Sequence, residues 1–540
     1  MNEIFTFNDV NIFYEKEIQL DKGKYLISLE INCDNHIICD LFYLVDDNNI
    51  ASKPEILPKL WYNEISTTSI YNIYVDVKNN CFGKLCIIMS NGIKNDIIRI
   101  KNLTINSSDI NKPINSINKK YDMKRIFNKN IKSILLSFPL TEDLFEEDDV
   151  NTMIDLIKTK KLTMGKHVDE FEKMFANFIG MKYAVMVNSG SSANLLALAT
   201  ITNFARKNKI ENNMEILIPA VCWSTSAFPI YQMNLKPIYV DVNPQTLNMD
   251  LEDMKKKITL NTRAIMVVHI LGNSTNMKEL INIAKNNNLE IIEDTCESLG
   301  SKYDNKYLGT FGSFGTYSFY YSHHMTTIEG GMIVCNDDKD YEILKCLRAH
   351  GWIRHLENKN EYINKYPDID PRYLFINLGY NVRSTDLNAV IGKSQLNKLQ
   401  RFNENRRYNY NLIKKYLYAN KKYDNQIILP IEIENGDIIW FALCIILNEK
   451  YEYLYNKYIN YLTENNIENR PVVTGNILRQ PVIQFLSQQK PESLIGADII
   501  HKRGLYIGIP SVRQINNCEC EYLTDKLLDF FMNEYDNVLK

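Results

Sequence analysis

Along residues 1–115 apolar and polar positions alternate in short runs. "KYLISLEINC", "HIICDLFYLV", "SIYNIYVDV", "KLCIIMS" and "DIIRIKNLTI" are rich in β-branched and aromatic residues, with Asn, Asp and Gly between them. That pattern predicts an antiparallel β-sandwich over 1–115. The polar stretch "NSSDINKPINSINKKYD" follows, and a linker is expected over 116–131. From about Lys132 the period changes. "DDVNTMIDLIKTKKL" and "HVDEFEKMFANFIG" space their apolar residues as helices do. "YAVMVNSG" reads as a short buried strand ending in glycine, and "SSANLLALATITNFARK" as the helix after it. "EILIPAVCW", "KPIYVDV", "AIMVVHI" and "LEIIEDT" are further apolar strands, several of them separated by helical stretches such as "NMKELINIAKNN". Alternating strand and helix predict an α/β unit over 132–400, with a mainly parallel sheet and helices on both faces. A smaller C-terminal α/β lobe is expected over 401–540, opening with a long helix after about Arg401.

Composition adds exclusions. At 540 residues the chain has room for more than one domain, and 45% hydrophobic residues can bury a sizeable core. A net charge of −3 gives no reason to expect a nucleic-acid or anionic-membrane partner. No run approaches the roughly 18–20 apolar residues of a membrane helix. The start, "MNEIFTFNDVNIFYEKEIQL", lacks the basic-then-apolar order of a secretory signal. Eleven scattered cysteines fit a reduced, cytoplasmic protein.

Candidate chemistry lies at four strand ends. In "VNSGSSANLLAL", Gly190 and Ser191 sit at a strand-to-helix turn whose free N–H groups and hydroxyls suit a phosphate; simple serine capping of the helix is the alternative. In "IIEDTCESLGS", Asp294 can bind a ring nitrogen and keep it protonated, or be a turn residue; Glu297 follows three positions later. Trp223 in "PAVCWSTSA" can stack on a flat cofactor or pack in the core. "SFYYSHHMTTIEGG" brings Ser318 and the adjacent pair His323 and His324. Adjacent histidines rarely ligate one ion, and no nearby Cys/His set completes a tetrahedron, so no metal site is expected. Cys518-x-Cys520 meets the same objection.

The order and spacing of these motifs resemble the DegT/DnrJ/EryC1/StrS family of nucleotide-sugar aminotransferases. "KLTMGKHVDEFEKMFANFIGMKYAVMVNSGSSANLLAL" is similar to the family's opening stretch and "NLGYNVRSTDLNAVIG" to a later one; the likeness covers roughly Lys132 to Val538. The resemblance implies the aspartate-aminotransferase-like, type I fold of pyridoxal phosphate (PLP) dependent transferases. It also implies that Ser191 and Ser318, beside Gly190, bind the coenzyme phosphate. Asp294 would pair with the pyridine nitrogen and Trp223 would stack on the ring. Asn381 would reach the phosphate of a neighbouring subunit, in a homodimer with shared active sites.

One departure changes the implied reaction. The family's motif reads roughly Ser-Lys-Asn; here it is Ser322-His323-His324. Imidazole cannot replace the lysine in its covalent link to the coenzyme, but it can carry protons near neutral pH. The same replacement marks a branch of the family, the 4-keto-6-deoxyhexose 3-dehydratases of deoxysugar and surface-polysaccharide biosynthesis. These use the coenzyme as pyridoxamine phosphate (PMP). By that resemblance His323 is the acid–base residue that serves removal of the sugar's 3-hydroxyl. "RPVVTGNILRQP" also resembles this branch, making Arg470 and Arg479, with His324, candidates for substrate contact. One type of the branch adds an iron–sulfur cluster. Only Cys335 and Cys346 fall between the glycine pair and Cys444, short of the usual four thiolates, so the cluster-free type is expected. That type regenerates PMP from PLP with L-glutamate, and Glu297 fits an acidic residue near the coenzyme hydroxyl. The substrate would be a GDP- or CDP-linked 4-keto-6-deoxyhexose. An aminotransferase, or a non-catalytic binding protein of the same fold, is the alternative. Ile328, where the family usually has glycine, is a second departure, beside His323.

Overall fold

The computed structural model describes residues 137–538, with side chains from 137 to 532, and the backbone of strands between Glu3 and Ser116. The chain divides into two compact units, Met1–Asn128 and Lys129–Lys540.

In the first unit the strands pair antiparallel into two sheets. One has the order Glu3–Thr6, Ile97–Ser107, Gly23–Cys33, Thr68–Val77. The other has the order Glu64–Ile65, Ile37–Asp46, Cys81–Ser90, Asn11–Leu20, Asn115–Ser116. All five expected runs fall on strands. Asn11–Leu20 escaped the sequence reading because Glu15, Lys16 and Glu17 interrupt its alternation. The packing of the two sheets as a sandwich, and the linker expected at 116–131 beyond its first residue, lie outside the described residues.

The second unit is built on a seven-stranded sheet: β1 (Tyr183–Val187), β2 (Glu215–Pro219), β3 (Lys236–Val240), β4 (Thr262–Val268), β5 (Glu290–Asp294), β6 (Phe314–Ser318) and β7 (Gly331–Cys335). Its order is β1-β7-β6-β5-β4-β2-β3. β3, β2, β4, β5 and β6 run parallel, while β7 is antiparallel to β1 and β6. The strands are apolar almost throughout because both faces are covered. Successive residues feed different cores: Met266 and Ile292 join one cluster, Ile265 and Ile291 another. The covering helices include α1 (Glu147–Thr159), α2 (Lys166–Ile179), α3 (Gly190–Ile201) and α4 (Ser224–Gln232). In α2 the apolar stripe Val168, Phe171, Phe175 and Ile179 is buried and meets Phe319, just past β6.

One expectation is corrected. The long helix, α5, runs Asp386–Ala419, so it begins well before Arg401 and the expected 400/401 boundary falls inside it. Its start is set by Thr385, whose side chain accepts from the Asn388 N–H. Beyond α5 a four-stranded antiparallel sheet forms from β8 (Ile427–Ile428), β9 (Leu443–Leu447), β10 (Asn469–Pro471) and β11 (Gly504–Ile507), in the order β8-β9-β11-β10. The chain's last helix, α6, is Asn517–Val538. Among the described residues no helix is long and apolar enough to cross a membrane.

Candidate active site

The carboxyl ends of β5 and β6 and the amino end of α3 meet at one place, where parallel α/β sheets position ligands. α3 is capped by Ser189, which accepts from the Ser192 N–H. Capping therefore falls to Ser189 and leaves Ser191 for another task. Ser191 Oγ lies 2.7 Å from Thr225 Oγ1, in the first turn of α4. Two helix amino ends thus present hydroxyls together, a suitable cradle for an anion. Gly190 makes the approach possible, since a Cβ there would stand 2.6 Å from the Cβ of Ser318. Thr225 was missed in "PAVCWSTSA" because only the Trp223 ring suggested a cofactor contact there.

Asp294 ends β5 and is buried. One carboxylate oxygen accepts from Asn194 Nδ2 and from Ser226 Oγ, both at 2.7 Å, and the other from the Cys296 N–H at 3.1 Å. Three donors fix the orientation of this carboxyl group at the end of β5. Glu297 accepts from the Leu271 N–H at 2.9 Å. Burial, with Asp294 nearby, pushes its carboxyl up to about 7. A carboxyl raised in this way stabilises the fold below its ordinary range and loses that contribution as pH rises through about 7. Glu297→Gln is therefore expected to flatten the fall in melting temperature between about pH 5 and 8 that the coenzyme-free parent shows; differential scanning fluorimetry across that range checks it.

His323 lies in the turn after β6. Its Nδ1 is 2.7 Å from the Cys296 carbonyl oxygen, which can only accept, so Nδ1 carries the proton and Nε2 keeps a free lone pair. Burial brings the imidazole down to about 4, and the Arg406 charge works in the same direction. Its hydrogen bond to Cys296 and the Asp294 carboxylate oppose them. His323 is thus neutral at physiological pH and competent as a base. Its ring is 5.2 Å from that of Phe441 and edge-on to Tyr320 at 6.1 Å. His324 is 1% exposed and donates from Nε2 to the Ile439 carbonyl at 3.3 Å. Of the residues expected to contact substrate, His324 is thus the buried one.

Ile328 takes a left-handed conformation, φ 71°. A β-branched residue is strained there. Its N–H bonds Thr326 Oγ1 at 2.9 Å, and Asn388 Nδ2 donates to the carbonyls of Thr327 and Glu329 on either side, at 2.8 and 3.0 Å. Asn388, on α5, thus holds the turn without the usual glycine.

The other expected residues are more dispersed. Trp223, the residue before α4, is 57% exposed, so it is not a core residue and its ring face is available. Asn381 is exposed and accepts from Arg383 Nε at 3.0 Å. Arg470 is exposed on β10, with Nη1 on the Asn469 carbonyl at 2.8 Å. Arg479 is committed to Asp498, with its Nε at 2.8 Å from one carboxylate oxygen.

A residue the sequence reading passed over holds this region together. Glu293, beside Asp294 but pointing to the opposite face of β5, is fully buried. It accepts from the N–H groups of Gly309, Phe311 and Gly312 at 2.8, 2.6 and 2.7 Å and lies 3.1 Å from His269 Nε2. The loop before β6 is wrapped on this carboxylate, with Gly309 at φ 86°.

The DegT/DnrJ/EryC1/StrS aminotransferase family matches residues 143–527. The chain belongs to this family. It is 38% identical over 382 residues to a GDP-4-keto-6-deoxy-D-mannose 3-dehydratase of Yersinia pseudotuberculosis, spanning 70% of this chain and 95% of that protein. Among solved structures, E. coli GDP-4-keto-6-deoxy-D-mannose-3-dehydratase with bound hydrated PLP has a TM-score of 0.68 at 35% identity, covering 73% of this chain and 99% of that one. A GDP-4-keto-6-deoxymannose-3-dehydratase with a trapped PLP-glutamate geminal diamine has a TM-score of 0.67 at 35% identity, covering 72% and 100%. The fold is that of the PLP-dependent aminotransferases, as the resemblance implied.

Proposed function

We propose that this family member is a PLP/PMP-dependent 3-dehydratase of a nucleotide-linked 4-keto-6-deoxyhexose, with L-glutamate restoring the amine form of the coenzyme. The observation that carries the reading is His323. It stands where the family's aminotransferases have lysine, with its proton fixed on Nδ1 and its Nε2 lone pair free. The relatives named as GDP-4-keto-6-deoxymannose 3-dehydratases favour GDP as the nucleotide.

The residues present fit the coenzyme. The Gly190 turn, too close to Ser318 for a Cβ, and the paired hydroxyls of Ser191 and Thr225 are assigned to the coenzyme phosphate, with Ser318. Asp294, oriented by Asn194 and Ser226, is assigned to a pyridinium nitrogen. Glu297 is assigned to the ring hydroxyl and Trp223 to the face of the ring. When bound as PMP, the coenzyme supplies an amine to the sugar's 4-keto carbon and a ring that stores electrons while the 3-hydroxyl departs. His323 Nε2 takes the proton that this step releases and returns it to the leaving hydroxyl. The carbonyl of Cys296 keeps the ring in the tautomer needed for both tasks. Arg470 is assigned to the substrate, and Arg479 positions the 470–481 loop through Asp498. The exposed Asn381 is assigned to the coenzyme phosphate of a second subunit, which makes the working enzyme a homodimer. Nucleotide sugars and glutamate as substrates imply a cytoplasmic setting.

The test is incubation with PLP, L-glutamate and GDP- or CDP-linked 4-keto-6-deoxyhexoses, followed by mass spectrometry. A product lighter by one oxygen, with its keto group retained, is expected. A product bearing nitrogen in place of the keto oxygen would make the chain an aminotransferase.

A further inference from the structure

The loop that carries His323 is closed on itself. The Phe319 N–H donates to the Gly330 carbonyl and the Thr327 N–H to the Phe319 carbonyl, both at 2.9 Å. Ser318, assigned to the coenzyme phosphate, stands just before this closure and pairs with Gly331 across β6 and β7. From His323 to Thr327 the chain is packed on all sides. His324 is 1% exposed, and Met325, Thr326 and Thr327 are at 0%. Thr326 Oγ1 also donates to the Phe319 carbonyl at 3.4 Å. A shift of the leg after Thr327 is therefore passed back through close-packed residues to the imidazole.

That leg contains Ile328, whose φ of 71° glycine adopts freely and a β-branched residue does not. The support from outside the loop is Asn388, the third residue of α5. Its Nδ2 donates to the Thr327 and Glu329 carbonyls at 2.8 and 3.0 Å, and its Oδ1 accepts from Thr385 Oγ1 at 2.6 Å. A reversed amide would set its oxygen against two carbonyl oxygens, so the orientation is fixed. The two carbonyls lie on either side of Ile328. Changing φ there turns the chain on one side relative to the other, and both carbonyls cannot then stay on one amide.

We propose that Asn388 is a positioning residue for the reaction: by gripping the carbonyls on either side of Ile328 it holds a left-handed turn that isoleucine would otherwise leave, and so keeps His323 in place at the site. The inference rests on the reading of His323 as the base. A plain anchor for the loop would matter equally whatever residue stood at 328. An amide that offsets the strain of isoleucine loses its importance once glycine stands there.

The test is a cycle of Asn388→Asp, Ile328→Gly and the double variant. Aspartate has nearly the same shape and still accepts from Thr385, but it donates to neither carbonyl. A carboxylate at the third position of α5 suits a helix amino end, so the fold is expected to survive. In the PLP-saturated enzyme, Asn388→Asp is expected to lower kcat by about 10–10²-fold, with KM for the sugar within about threefold of the parent. Ile328→Gly alone should stay within about threefold of the parent, and adding it to Asn388→Asp should bring kcat back to within about threefold of the glycine variant. Amide hydrogen exchange over 319–330 in the coenzyme-free protein is expected to follow the same pattern, faster in Asn388→Asp and slower again in the double variant. If the aspartate protein does not fold, Asn388→Ala, which adds no charge, should show the same rescue by Ile328→Gly. A loss that Ile328→Gly leaves as large, or full turnover in a folded Asn388→Asp protein, overturns the proposal. Rescued exchange in an enzyme that dehydrates no sugar keeps the hold on the loop and rejects the reaction assigned to the site.

Discussion

His323→Asn is expected to lower dehydration by about 10²–10⁴-fold, the usual contribution of one positioned acid–base group. Asparagine is close in size and can still donate to the Cys296 carbonyl, so the turn after β6 should survive. What it lacks is a lone pair basic enough to take a proton. The groups assigned to the coenzyme, Asp294 with its three donors and Ser191 with Thr225, are untouched. Coenzyme affinity, read from the absorbance of bound PLP, should therefore stay near the parent value while turnover collapses. His323→Lys should lose dehydration equally and gain a covalent link to PLP, visible as a borohydride-reducible adduct. Turnover above a tenth of the parent in the asparagine variant would remove His323 from the chemistry.

Glu293→Ala is expected to be the most destabilising single change near the site. It strips the acceptor from the buried Gly309 N–H, from the partly buried N–H groups of Phe311 and Gly312, and from the buried His269. Each buried donor left unpaired costs about 1–3 kcal/mol, so a loss above about 3 kcal/mol is expected even if part of the loop relaxes. Glu293→Gln keeps one oxygen and should fall between parent and alanine. The damage should reach the coenzyme, because Glu293 adjoins Asp294 and the His269 N–H is bonded to the Asp294 carbonyl at 3.0 Å. Denaturant midpoints of the three proteins, with PLP affinity measured alongside, check this. An unchanged midpoint in the alanine variant would mean that the loop holds itself.

Much of this site was legible in the sequence because its parts stand at strand ends that the apolar runs mark. Asp294 closes the run "EIIED", Ser318 closes β6, and the glycine-led turn before α3 follows "YAVMV". What escaped depends on contacts between distant positions. Thr225 matters through Ser191, 34 residues earlier. Arg406 is buried on the carbonyl of Phe441, 35 residues later, and nothing local separates it from the neighbouring Arg407, which pairs with the exposed Asp437. Glu293 drew no notice beside Asp294, yet the pleat turns it into the interior on the opposite face. The start of α5 was misplaced because "STDLNAVIG" includes a glycine and several weak helix formers. The Thr385 cap and Asp386 nonetheless start the helix there; Asp386 accepts from the N–H groups of Gly165 and Val168 at 2.9 and 3.0 Å.

The nitrogen balance tests the central claim most directly. With GDP-4-keto-6-deoxymannose, PLP and L-glutamate, each deoxygenated sugar should be matched by one 2-oxoglutarate and one ammonia, with no nitrogen left on the sugar. Glutamate nitrogen recovered in the sugar instead of as ammonia would contradict the account and return this site to transamination.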